Sequence, residues 1–182
     1  MKEIIDMIQE RPGAVTLAGN PVTLIGNEVH VGDKAPDFEV LANDRSKVTL
    51  EDSKGKIRLI TVVPSLDTAV CDAQTRKFNE TVSAFGEDVV ALTISVDLPF
   101  AQSRWCGAAG IERIQTLSDH YEMSFGKAYG TYMKENRLEC RAIFVVDEKD
   151  IVTYVEYVLE VTAHPNYEAA LHAVGSIIKS KR

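Results

Sequence analysis

The fold is decided by residues 142–159, whose sequence is AIFVVDEKDIVTYVEYVL. Two apolar, largely β-branched stretches, 142–146 and 151–159, flank four charged residues. Strands joined by so short a polar segment form an antiparallel hairpin, because a parallel connection needs about a dozen residues or more. Doubly wound folds would continue with parallel strand–helix units instead. The sequence therefore predicts a sheet that is completed by an antiparallel hairpin.

Strands and helices alternate upstream of this hairpin. Residues 57–63 and 89–96 are β-branched or apolar throughout most of their length, as expected of strands that are covered on both faces. Helices are predicted from about residue 68 to 85 and from Pro99 onward, because apolar residues follow helical spacing in the first and proline suits a first helical turn. The sequence also predicts short strands at 38–42, 47–50 and 113–118, the last at an edge of the sheet, and a helical turn within 119–127.

Both ends of the chain add elements to this order. Residues 1–11 are predicted to form a short amphipathic helix that ends before Pro12, and residues 14–32 a β-hairpin. A final helix carries an apolar stripe formed by Tyr167, Ala170, Leu171, Val174 and Ile178. The whole order predicts an α/β, thioredoxin-like fold: a central mixed sheet flanked by helices, with an N-terminal β-hairpin. We expect one domain over residues 1–182, in which residues 1–13 are an N-terminal extension.

Composition limits the possible functions. A chain of 182 residues with 45% apolar residues can bury a sizeable core, and its net charge of −7 disfavours a nucleic-acid partner. No run of about 18 apolar residues predicts a membrane span, and Asp6 and Glu10 interrupt any secretory signal. We therefore expect a cytoplasmic protein. His30, His120, His164 and His172 show no metal-ligand spacing, so no metal site is predicted.

The most informative cysteine is Cys71. It follows the 57–63 strand and lies in the first turn of the next helix, where the helix dipole and unpaired N–H groups stabilise a thiolate. Thr68 is a plausible N-cap whose hydroxyl can reach the backbone or the sulfur. The alternative is that Thr68 only caps the helix and Cys71 only fills a gap.

Arg141 favours a functional role for Cys71. In a thioredoxin-like sheet the 142–146 strand lies beside the 57–63 strand, which brings Arg141 towards Cys71. A guanidinium group there would stabilise the thiolate. The alternative for Arg141 is an ordinary surface salt bridge.

The spacing of the cysteines excludes a local dithiol. Cys71 is followed by Asp-Ala-Gln, so no C-x-x-C motif exists, and the nearest other cysteine in sequence is Cys106 on the second helix. A disulfide requires Cα atoms within about 7 Å. Because both cysteines lie on helices, we hypothesise that both segments must unwind locally if they are to join.

Two motifs resemble a known family. Residues 64–71, PSLDTAVC, resemble the Pro-x-x-x-Thr-x-x-Cys motif of the peroxiredoxins, and residues 97–107, DLPFAQSRWCG, are similar to a signature of their bacterial thiol peroxidase branch, which are atypical two-cysteine peroxiredoxins. The resemblance extends from GNPVT at 19–23 to PNYEAA at 165–170.

The resemblance implies a role for each matching residue. Cys71 would be the peroxidatic cysteine, which a hydroperoxide oxidises to sulfenic acid, and Cys106 the resolving cysteine, which forms an intrachain disulfide that thioredoxin reduces. Thr68 would hydrogen-bond the thiolate and the peroxide, Arg141 would polarise the peroxide, and Pro64 would shield the sulfur from water. The family acts on hydrogen peroxide and organic hydroperoxides, usually as a homodimer, without metal or bound organic cofactor.

Beside this interpretation, two questions remain open and one rival function is disfavoured. Cys140 lies outside the family pattern and is either inert filler or an alternative thiol partner. A disulfide oxidoreductase of the same fold would carry a C-x-x-C motif and a proline just before residue 142, and neither is present. A non-enzymatic redox sensor or holdase that uses the same disulfide is not excluded by the sequence.

Overall fold

The computed structural model describes residues 8–181 and contains two sheets and four α-helices within them. The strands are β1 Glu10–Leu17, β2 Asn20–Ile25, β3 Glu39–Leu41, β4 Lys47–Thr49, β5 Ile57–Val62, β6 Val89–Ser95, β7 Ile114–Ser118, β8 Tyr132–Met133, β9 Leu138–Glu139, β10 Ala142–Val146 and β11 Val152–Tyr157. The helices are α1 Ala69–Val82, α2 Pro99–Ala109, α3 Ser124–Tyr129 and α4 Tyr167–Ser180.

The main sheet has seven strands in the order β11-β10-β5-β6-β7-β3-β4. Strands β5, β6 and β7 are parallel, whereas β10 pairs antiparallel with both β5 and β11. Every residue of β5 is buried, because strands lie on both of its sides and helices or the second sheet cover its faces. The predicted mixed sheet and its terminal hairpin are confirmed.

The two faces of the main sheet are covered differently. Helices α1 and α4 pack on one face, where Phe78, Val82, Ala170 and Val174 meet apolar side chains of β5, β6 and β10. Helix α3 and the small sheet, ordered β1-β2-β8-β9, cover the other face. Among the residues described, no helix combines the length and the apolar character needed to cross a bilayer.

The N-terminal region differs from the prediction. Residues 8–11 are not helical, and β1 already begins at Glu10, so the hairpin with β2 includes part of the predicted extension. The rest of the predicted helix, residues 1–7, lies outside the described residues. Arg11 anchors this strand, because its side chain donates to the carbonyl groups of Gly26 and Gly130 and lies over the ring of Tyr157.

One further prediction needs correction. The 113–118 strand is not an edge, because β3 pairs with β7 at Leu41 and Ser118. The helical turn expected within 119–127 is confirmed: α3 begins at Ser124, directly after Met123, which has a left-handed φ of 52°. Strands β8 and β9 were not predicted, since segments of two residues carry no recognisable hydrophobic period.

Candidate active site

The loop before Cys71 is fastened to the neighbouring strand. Asp97, which follows β6, accepts hydrogen bonds from the Ser65 hydroxyl at 2.7 Å and from the Leu66 backbone N–H at 2.8 Å. The Ser95 hydroxyl donates to the same carboxylate at 2.7 Å. This fixes the path of the chain between the end of β5 and the start of α1, and therefore the position of Cys71 in the first turn of that helix.

The Cys71 sulfur is fully buried and contacts two polar side chains from different elements. Its Sγ lies 2.7 Å from Thr68 Oγ1 and 3.3 Å from Arg141 Nη2. Thr68 has the extended backbone of an N-cap, but its hydroxyl contacts the sulfur and the Ser65 carbonyl oxygen instead of a helix N–H. Thr68 therefore precedes the helix as its N-cap residue and also directs its hydroxyl group at the Cys71 sulfur.

Arg141 is held from three directions. Its Nε donates to the Val161 carbonyl at 2.9 Å and its Nη1 to Gln74 Oε1 at 2.7 Å, which leaves Nη2 to donate to Cys71. Only 2% of Arg141 is exposed, so it is not the surface salt bridge considered above. Pairing of Ala142 with Val62 brings it there, as the sheet order predicted. A guanidinium group fixed in this way stabilises negative charge on the sulfur or on a bound oxygen.

Gln74 was missed by sequence reasoning. It lies three residues after Cys71 on the same face of α1 and is fully buried, which is unusual for a glutamine. A polar residue at a buried helical position next to a candidate thiolate was the signal available in the sequence. Its amide oxygen orients the guanidinium group, so Gln74 is a positioning residue.

Apolar side chains enclose the sulfur. Pro64 is buried, and Val63, Leu66 and Cys71 form a small apolar cluster against which Trp105 of α2 packs. Exclusion of water from this cluster strengthens the hydrogen bonds that Thr68 and Arg141 make to the sulfur.

Cys106 has different surroundings. It lies on α2, is partly exposed, and its Sγ contacts Thr116 Oγ1 of β7 at 3.2 Å. An open depression of about 620 Å³ lies beside it, lined in part by Asn43 and Thr116. Cys71 and Cys106 are both free thiols, so the structure does not bring the two sulfurs together.

Cys140 is placed away from this site. It is fully buried in the large core cluster under α3 and the small sheet, whereas Cys71 belongs to a separate cluster. Burial raises the pKa of the Cys140 thiol well above its ordinary value, which suppresses the reactive thiolate. These surroundings favour the filler interpretation. Within residues 8–181, no cluster of three or more His, Cys, Asp or Glu side chains is arranged to hold a metal ion.

A set of side chains that the sequence did not reveal connects α1 to α2. Asp72 Oδ1 accepts from the Trp105 indole N–H at 3.0 Å, and Asp72 Oδ2 accepts from Arg76 Nε at 2.8 Å. Arg76 also donates to the Ala109 carbonyl at 3.3 Å, and its guanidinium carbon lies 5.6 Å from the centroid of the Trp105 ring. We call Asp72, Arg76 and Trp105 the α1–α2 clamp.

Comparison with known proteins identifies the family of the chain. The family model described as Redoxin matches residues 30–171, a range that includes both motifs and all five predicted site residues. The chain belongs to the Redoxin family. Its curated relatives are thiol peroxidases, which confirms the predicted resemblance to that branch of the peroxiredoxins. They also confirm the class of enzyme, a peroxiredoxin-type peroxidase.

Two relatives illustrate the similarity of this Redoxin chain. The thiol peroxidase of Halalkalibacterium halodurans is 64% identical over 160 residues, which cover 88% of this chain and 96% of that protein. The thiol peroxidase of Bacillus subtilis is 57% identical over 165 residues, which cover 91% and 98%. A solved structure of a peroxiredoxin-like protein from Aquifex aeolicus has a TM-score of 0.84 and 37% identity, covering 93% of this chain and 99% of that one.

Proposed function

We propose that the chain is a thiol-dependent peroxidase in which Cys71 reduces hydrogen peroxide and organic hydroperoxides and Cys106 resolves the oxidised sulfur. One observation carries this proposal. The Cys71 sulfur is buried, yet it receives hydrogen bonds from Thr68 and from the Arg141 guanidinium group, which two further hydrogen bonds hold in place. A buried structural thiol needs no such donors, whereas a reacting thiolate does.

In the first step, the Cys71 thiolate attacks one oxygen of the hydroperoxide. The S–O bond forms as the O–O bond breaks, the sulfur becomes a sulfenic acid, and the departing oxygen leaves as water or an alcohol after taking up a proton. Negative charge moves from the sulfur to the leaving oxygen during this step. Fixed hydrogen-bond donors that face the sulfur can stabilise the charge on both atoms. Thr68 and Arg141 are those donors, and buried Pro64 helps to keep water from the sulfur.

In the second step, the Cys106 thiol condenses with the sulfenic acid. A disulfide forms, and the sulfenic hydroxyl group leaves with the thiol proton as water. This step prevents further oxidation to sulfinic acid, which most cells cannot reduce back to the thiol. We propose that α1 and α2 unwind locally for it, because Cys106 contacts Thr116 and not Cys71 in the reduced structure.

In the third step, the dithiol of thioredoxin supplies two electrons and two protons and restores both thiols. The partly exposed position of Cys106 beside an open depression supports access of an external thiol to that side of the disulfide. We also propose that the protein acts in the cytoplasm and as a homodimer. Three cysteines are too few for a secreted disulfide scaffold, which supports a reducing compartment.

The test is steady-state consumption of hydroperoxide with thioredoxin, thioredoxin reductase and NADPH. We expect the wild type to turn over and Cys71→Ser to lose all activity, because the nucleophile is absent. Cys106→Ser should still consume one equivalent of peroxide but lose cycling with thioredoxin. Cys140→Ser is the matched control, a thiol removed from the core, and should keep turnover.

Other outcomes would contradict parts of the proposal. Catalytic turnover by Cys71→Ser would show that Cys71 is not the nucleophile. A Cys71–Cys140 disulfide found by mass mapping would show that Cys140, and not Cys106, is the resolving residue. Oxidation of the wild type by peroxide without any cycling would overturn the peroxidase proposal in favour of a redox sensor.

A further inference from the structure

The α1–α2 clamp lies directly beside both cysteines in the chain. Asp72 follows Cys71 on α1, and Trp105 precedes Cys106 on α2. Asp72 accepts from the indole N–H and from Arg76, and Arg76 in turn donates to the carbonyl group of Ala109 in the last turn of α2. The clamp therefore ties the helix of the peroxidatic cysteine to both sides of the residue that must resolve it.

Outside the clamp, α2 is attached to the protein by few apolar contacts. It buries only Pro99 and Gln102, whereas α1 buries five residues, Phe78 and Val82 among them. Where α2 meets the sheet the contacts are polar: the Gln102 amide donates to Ser95 Oγ at 3.0 Å, and Cys106 contacts Thr116. A helix with so little buried apolar surface has low local stability, so a few polar contacts can control when it opens.

Resolution requires α2 to move. Arg141, which immediately precedes β10, contacts the Cys71 sulfur, and Thr116 of β7 contacts the Cys106 sulfur. In the sheet order β10-β5-β6-β7 these strands are three steps of about 4.8 Å apart, roughly 14 Å. Trp105 and Cys106 are neighbours in a helix, so when the indole packs on the Cys71 cluster the sulfur of Cys106 points elsewhere.

We propose that the α1–α2 clamp sets the rate at which Cys106 is released, and thereby the sensitivity of Cys71 to over-oxidation. This inference rests on the proposed function. The Cys71 sulfenic acid has two fates: condensation with the Cys106 thiol gives a disulfide and water, and reaction with a second hydroperoxide gives sulfinic acid and an alcohol or water. A tighter clamp delays the first fate and leaves more time for the second.

The test separates the two steps by rapid acid quench, alkylation of the remaining thiols and intact-mass measurement after one equivalent of hydrogen peroxide. Asp72→Asn loses the charge that binds Arg76, and Trp105→Phe keeps the packed ring but loses the N–H donor. Each variant should form the Cys71–Cys106 disulfide about tenfold faster than the wild type, since each removes a hydrogen bond to a charged group. The peroxide concentration that gives half-maximal sulfinic acid should rise by a similar factor.

Glu168→Gln is the matched control, because Glu168, like Asp72, is an acidic residue in the first turn of a helix, but it is exposed on α4 and has no described side-chain hydrogen bond or ion pair. It should resolve at the wild-type rate. Wild-type rates of disulfide formation in both clamp variants, or slower ones, would overturn the clamp proposal while leaving the proposed function intact. Absence of a Cys71–Cys106 disulfide in the wild type would instead overturn the proposed function.

Discussion

The surroundings of the two cysteines differ in almost every physical respect. Cys71 is fully buried, packs among apolar side chains and receives hydrogen bonds from residues that are themselves fixed. Cys106 is partly exposed on a helix that meets the sheet through polar contacts. In the proposed cycle, reaction with peroxide therefore depends on a preorganised pocket, whereas resolution depends on a helix that can move.

The preorganised surroundings of Cys71 should be more sensitive to conservative substitutions than those of Cys106. We predict that Arg141→Lys lowers the rate constant of Cys71 oxidation by about 10²–10³-fold, because an ammonium group cannot donate to Val161, Gln74 and Cys71 in one plane. The measurement is stopped-flow fluorescence of Trp105, the only tryptophan, under excess hydrogen peroxide.

Arg104→Lys is the control for this substitution, since Arg104 is exposed on α2. It should react at the wild-type rate. If Arg141→Lys folds normally and reacts as fast as Arg104→Lys, the guanidinium geometry is not important for the first step, and the comparison between a fixed and a mobile side fails.

The greater mobility of α2, the helix that carries Cys106, should be measurable without any mutation. We predict that backbone amides of α2 exchange with solvent at least about tenfold faster than those of α1 in the reduced protein, a difference of about 1.4 kcal/mol in local opening free energy. Hydrogen exchange read by mass spectrometry measures this. Oxidation to the disulfide should lower protection in both helices, and equal protection in the two redox states would contradict local unwinding.

The smallest predicted effect is on thermal stability and concerns two buried carboxyl groups, those of Asp119 and Glu139. Glu139 of β9 is fully buried against Asp119, and Thr131 donates to it at 2.6 Å. Burial, reinforced by the charge of Asp119, raises the pKa of Glu139 well above 4.5, and burial also raises the pKa of Asp119. The folded state thus holds protons that the unfolded chain releases.

Stability from this pair is therefore complete at low pH and is lost as the pH rises above about 4.5 towards the raised pKa values. We predict that Glu139→Gln, which mimics the protonated acid, raises the melting temperature at pH 8 by a few degrees relative to the wild type and by less at pH 5. Thermal unfolding at the two pH values measures this. A difference that does not depend on pH would contradict protonation of the buried pair. Glu112→Gln is the control, because Glu112 is exposed and has no described side-chain hydrogen bond or ion pair.

Local patterns in the sequence were sufficient to predict the order of the main elements and to single out Cys71 and Arg141 as candidate residues. Continuous apolar runs identified β5 and β6, and a short charged segment between two such runs identified the β10–β11 hairpin, because these patterns depend only on local spacing. From that order it followed that Arg141 approaches Cys71, since neighbouring strands in a sheet have a fixed register.

The side chains that surround the two cysteines could be found only in the tertiary structure. Gln74, Asp97 and the α1–α2 clamp act through contacts between elements that are distant in sequence, and no local pattern encodes such contacts. The early start of β1 at Glu10 was decided in the same way, because pairing with β2 and the anchoring of Arg11 overrode the helical pattern of a short segment. Spacing along a chain fixes secondary structure, whereas packing between elements fixes the environment of a reactive group.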